Sequence, residues 1–300
     1  LAIIGHQEEG FHWYEEASEA YRAAIAVAVH YETPFDVAVT PRHLAIVLDS
    51  LSERLETTDL LEEAQNECNA ALEVFTDTQY RWNWAVTQNC LGKLLFKLGV
   101  ATAETAKFKD AIVAFQSALK VFVRKVAPER WAEVINNIGT VLQFFGARTK
   151  REDVFTAATN IFRTAANARS REDAPILWAT SHNNLGTSLF FLAKESPKME
   201  VLDEATQTFQ HALSVFKAFG SARMAGLAVG NITRLEAHKK ALAGVETAGE
   251  SSVIESRVDD ESNESIDDDS SADDTSDSKH EAVTSDETGA KDQTASIAVD

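Results

Sequence analysis

The chain has 300 residues, with 47 acids against 28 bases and a net charge of −19. That surplus excludes a general nucleic-acid or anionic-membrane binder, since both need a dominant cationic field. Its two cysteines, Cys68 and Cys90, form no disulfide or metal pattern, and they suit a reducing, cytoplasmic setting.

From the N-terminus the chain repeats itself. Leu1, Leu48, Leu95, Leu142 and Leu189 stand 47 residues apart. A fixed period of this size marks a repeat array. Leu1 then falls in the last turn of a helix already under way, so further chain upstream is expected and the missing leader carries no message.

Ala17, Ala64, Ala111, Ala158 and Ala205 share the period, and each is followed seven residues later by another alanine. Tyr21, Cys68, Phe115, Phe162 and Phe209 lie four after the first alanine. Offsets of four and seven share one helical face. This helix B is expected over 11–31, 58–77, 105–125, 152–169 and 199–218.

Between these runs lies a second motif. Trp84-Ala-Val-Thr-Gln-Asn-Cys-Leu-Gly92 returns as Trp131 to Gly139 and as Trp178 to Gly186, with a worn copy at Val37–Ala45. It defines helix A, expected over 34–51, 81–98, 128–145, 175–192 and 222–243. Pro34, Pro128 and Pro175 suit the first turn, Gly99 and Gly146 read as stops, and Pro41 should kink or break its helix. The last helix lacks both Trp and Gly and reads as a polar cap.

Leu-Gly in helix A with Ala-aromatic-Ala in helix B resembles the tetratricopeptide repeat family over about residues 1–243. The Asn-Asn-Leu-Gly form is similar to its long-repeat members, including kinesin-light-chain-type and bacterial arrays. The resemblance implies an all-α, right-handed superhelical solenoid of antiparallel helix pairs, with helix A lining a concave surface. Gly244–Asp300, with 18 acids, three bases and no aromatic residue, reads as a disordered acidic tail.

Trp84, Trp131 and Trp178, with Gly92, Gly139 and Gly186 and with Ala64, Ala111, Ala158 and Ala205, are expected to pack units together. Trp13 and Trp82 fall outside that register. The asparagines are the other candidates. Asn89, Asn136 and Asn183 stand two residues before the helix-A Leu or Ile, and Asn137, Asn184 and Asn231 one before. An amide offers a donor and an acceptor and can hold a peptide backbone of any sequence. The resemblance implies a peptide clamp at Asn137, Asn184 and Asn231. The same amides can instead bond neighbouring helices, and both readings stand. Lys93, Lys97 and Arg234, near Thr140, Gln143, Thr187 and His238, would favour a peptide with acidic groups or a free carboxylate.

Residues 1–92 carry 16 acids and four bases, whereas residues 93–171 carry 14 bases and six acids. Two readings of the acidic tail stand: it solubilises the chain without fixed contacts, or it dwells transiently over this basic segment. No metal-ligand spacing, phosphate-cradling glycine loop or acid–base pair is present in the sequence, and neither enzyme activity nor a cofactor is expected. The expected function is an interaction scaffold or adaptor for a peptide or partner protein. The alternatives are a sensor module of a larger signalling protein, or self-association through the oppositely charged segments.

Overall fold

The computed structural model describes residues 12–31 and 33–260, with side chains over 12–28 and 33–244. The chain divides into two compact units, residues 1–239 and 240–300. The first is an all-α solenoid in which each helix packs on its neighbours in sequence.

Its B helices are α1 (His12–Tyr31), α3 (Asp59–Val74), α5 (Thr105–Leu119), α7 (Glu152–Asn167) and α9 (Met199–Ala218). Its A helices are α2 (Pro34–Leu55), α4 (Arg81–Thr102), α6 (Pro128–Thr149), α8 (Pro175–Glu195) and the start of α10 (Ala222–Asp260). Unit two begins inside α10. That helix, expected to end at 243, runs to Asp260, and the rest of the acidic tail lies outside the described residues.

Prolines 34, 128 and 175 open α2, α6 and α8, where the missing N–H has no helical partner to lose. Pro41 lies buried inside α2, which continues unbroken around it.

Gly99 and Gly146 do not stop helix A. They lie within α4 and α6, where a Cβ would come within 3.0 Å of Phe108 and 3.2 Å of Phe155. The helices run on and end beside Glu56, Ala103 and Lys150, non-glycine residues in the left-handed region at φ 52°, 64° and 56°. Those three also stand 47 apart. The next position is Pro197, whose ring forbids positive φ, and α8 ends differently, at Ser196 with φ −136°.

The core is built where helix B meets helix A. Ala64, Ala111, Ala158 and Ala205 are fully buried. The rings of Phe115, Phe162 and Phe209 press close against the glycines of their own unit. A Cβ added to Gly92, Gly139 or Gly186 would sit 2.6, 2.9 or 2.9 Å from the ring atoms, so only glycine permits that approach.

Trp131 lies at a junction, in one buried cluster with Ala165 of its own unit, and Leu119 of the preceding unit packs against that cluster. Trp84 is also buried, while Trp178 is half-buried and stacks on His182 at 3.7 Å between centroids. Trp82, unassigned by the repeat pattern, packs edge-on to Phe122.

Candidate functional site

The asparagines of helix A bond to one another. Asn137 Nδ2 donates to Asn89 Oδ1 at 3.1 Å, Asn184 Nδ2 to Asn136 Oδ1 at 3.2 Å, and Asn231 Nδ2 to Asn183 Oδ1 at 3.3 Å. Each rung joins successive A helices and spans 48 residues, one more than the repeat. Of the two readings of these amides, the structure displays the bond between helices.

The rungs account for the whole asparagine pattern. The first position of the pair is Asn in α4, α6 and α8, and the second is Asn in α6, α8 and α10. Cys90, at the second position of α4, has Arg42 rather than Asn behind it. Gly230, at the first position of α10, has no later unit among the described residues to receive.

In Asn137 and Asn184, unlike Asn89, half of the amide is left over. Asn89 Nδ2 is bound to Glu133 Oε1 at 3.1 Å. Among the described residues no hydrogen bond engages Oδ1 of Asn137 or Asn184, and neither atom is sealed from solvent. Two turns beyond these amides, on the same face, lie Phe144 and Phe191. Phe144 is 42% exposed and meets Phe96 of α4 edge-on at 5.1 Å.

The neighbouring lysines are engaged. Lys93 Nζ lies 2.6 Å from Glu133 Oε1. Lys97 Nζ lies 2.5 Å from Asp49 Oδ1 and 2.6 Å from Glu53 Oε1. Burial opposes the Glu133 charge, but Lys93, the Asn89 amide and Arg130 together hold the carboxyl below its ordinary range. Burial also opposes the Lys97 charge, and Asp49 and Glu53 outweigh it and raise its pKa. Arg234 is exposed and makes no ion pair among the described residues. The expected cationic groove therefore reduces to Arg234. Glu53 and Glu133 escaped the sequence reading because their bonds cross units at separations of 44 and 40, and Asp49 because its separation of 48 has the same skew as the rungs.

The first described unit lacks the rung. Arg42 and His43 stand at the Asn positions, and the Arg42 Nε is buried without a partner among the described residues. Below them Cys68 and Cys90 meet. The Cys68 thiol, in contact with Cys90 and buried, is pushed well up, and its hydrogen bond to Cys90 brings that thiol down.

Among the described residues, no group of three or more His, Cys, Asp or Glu is placed to hold a metal, and no helix is long and apolar enough to cross a membrane. The tail, for which a contact with residues 93–171 is one of two readings, lies outside the described residues from 261 onward.

No protein-family model matches the chain. No curated protein matches it either. Among solved structures it is similar to BtubC (BKLC) from P. vanneervenii, at 15% identity and a TM-score of 0.40 over 91% of this chain and 98% of that one. The C-terminal part of a TPR repeat-containing protein from Cytophaga hutchinsonii shows 15% identity and a TM-score of 0.22, over 78% and 99%. A DHF58 filament subunit shows 15% and 0.39, over 63% and 97%. Likenesses at this level leave the functional reading to the chain's own residues.

Proposed function

We propose that the chain is a non-catalytic interaction scaffold of tetratricopeptide type, which holds an extended peptide or partner segment along its helix-A face. The observation that carries this reading is the strip of half-engaged amides beside exposed Phe144. The outward oxygens of Asn137 and Asn184 accept from peptide N–H groups, and Phe96, Phe144 and Phe191 cover an apolar side chain. The rungs hold each amide in one orientation before any ligand arrives, and a fixed orientation lowers the ordering cost of binding. With Lys93 and Lys97 neutralised from within, the face selects for backbone and apolar groups rather than for acidity.

The test is selection of a displayed random-peptide library on the whole chain, followed by affinity measurement with Phe144→Ala. Enriched apolar peptides that lose affinity on the order of tenfold with the variant support the reading. Failure to enrich any peptide, or peptides indifferent to Phe144→Ala and Phe96→Ala, overturns it.

A further inference from the structure

A row of unpaired cations stands elsewhere, on the edge formed by the connections from helix B to helix A. Three of them cover the repeat tryptophans. Lys120 Nζ lies 5.9 Å from the Trp84 ring centroid, and the guanidinium carbons of Arg124 and Arg171 lie 5.5 and 5.4 Å from those of Trp131 and Trp178. Arg124 and Arg171 are 47 residues apart, each seven before its tryptophan. At the matching place one unit earlier stands Asp77, and there Lys120 at the end of α5 supplies the cation instead. Lys125 lies beside Arg124. All four are exposed, and none makes an ion pair among the described residues.

The same edge exposes apolar side chains. Val126 is 71% exposed, Trp82 48% and Leu177 46%. The two groups are contiguous: Trp82 packs on Phe122, beside Val123 and Arg124. A cavity of about 180 Å³ then joins Pro128 and Glu129 to Arg169, Asp173 and Leu177.

We propose that this edge is a docking surface for an acidic segment of a partner protein, one that carries aliphatic side chains between its carboxylates. Among the described residues no hydrogen bond engages the guanidinium N–H edge of Arg124 or of Arg171, each held near an indole ring. That edge takes a carboxylate in a two-pronged bond, and the ring beneath has already limited the side chain's freedom. One such cation per unit, with aliphatic groups between, matches a segment of alternating carboxylate and apolar character. A nucleic acid fits less well, because Glu129, Glu172 and Asp173 lie among the cations and a phosphate backbone rewards an unbroken positive surface.

The experiment uses fluorescence anisotropy with the whole chain at physiological ionic strength. The probe is a fluorescein-labelled peptide of glutamates and leucines. A lysine-for-glutamate peptide and a single-stranded oligonucleotide serve as alternatives. The acidic peptide is expected to bind, and Arg124→Glu/Arg171→Glu to weaken it on the order of tenfold or more. Leu177→Ser weakens it less, and Lys109→Glu/Lys198→Glu, which reverses two exposed cations away from the edge, leaves it unchanged. Arg124→Gln/Arg171→Gln gives the same loss if charge reversal disturbs folding. Absence of binding, equal loss in the control, or an oligonucleotide or lysine peptide that binds as tightly overturns the proposal. Phe144→Ala leaves this binding intact, so failure here is distinct from failure of the helix-A reading.

Discussion

The junctions from α4 to α10 and the junction between α2 and α4 are built on one plan with different parts. In the later junctions a glycine receives a phenylalanine from helix B, and an asparagine receives an amide from the next helix A. In the earlier one Ala45 and Cys68, in one buried cluster, take the places of the glycine and the phenylalanine, and Arg42 and Cys90 replace the two asparagines. The changes come in compensating pairs. A methyl group gained at 45 is matched by a ring lost at 68, and an acceptor lost at 42 by a donor lost at 90. A second set behaves likewise: Gly99 and Gly146 go with Phe108 and Phe155, whereas Ser52 and Ala193 go with Leu61 and Leu202. The unit that tolerates substitution is the contact, not the residue.

The strongest way to break that comparison is to make half of a pair. Phe162→Cys alone opens a cavity against Gly139 and should cost about 3–5 kcal/mol, while Gly139→Ala alone crowds the Phe162 ring and should cost about 1–3 kcal/mol. Urea unfolding of the double variant should show a loss well below the sum, since it recreates the Ala45–Cys68 arrangement. Simple additivity would separate the two regions after all.

The rungs give a smaller effect of the same form. Asn136→Ala removes the acceptor of Asn184 and should cost about 1 kcal/mol. Adding Asn184→Ala should cost little more, whereas pairing Asn136→Ala with Asn231→Ala, from a different rung, should show the full second loss.

Acid should weaken both regions through a buried histidine in each. Burial depresses both His43, in the unit without a rung, and His182, whose Nδ1–H donates to the Trp178 carbonyl at 3.0 Å, below the ordinary value of 6.5. A depressed folded pKa means that the unfolded chain takes up protons first. Stability is therefore fully present above 6.5 and falls as the pH drops through the folded values. Thermal melts from pH 8 down to 5 should show this decline, and His43→Gln/His182→Gln should flatten it.

The smallest effect is a gain. Ala103 and Lys150 adopt positive φ, which costs a side chain about 1 kcal/mol relative to glycine. Ala103→Gly and Lys150→Gly should each raise the melting temperature by a few degrees or less. A drop would show that the side chains contribute more than their backbone strain costs.

The period, the helix pairs and their order were legible because alanine and aromatic rows recur at one spacing. Gly99 and Gly146 were misread because glycine signals two things, a left-handed stop and a close approach. Only the phenylalanine nine residues on separates them. The rungs were hidden by their own skew. Aligning units at 47 puts Asn136 beneath Asn89, whereas the bond to Asn89 comes from Asn137. The lysine–carboxylate bonds at the same face were hidden more deeply, since Lys93 meets Glu133 and Lys97 meets Glu53 at separations of 40 and 44.

The one-residue skew also sets a rule for lengthening the array. A segment that begins at Pro128 and ends at Ala174 carries one acceptor for the unit after it and one donor for the unit before it. A duplicate spliced in behind it would add one rung and leave no amide unmatched, so the chain's internal grammar allows extension by whole units. A duplicate of the α2–α3 segment would import Arg42 and His43 without either half of a rung, and the row of amides would end there.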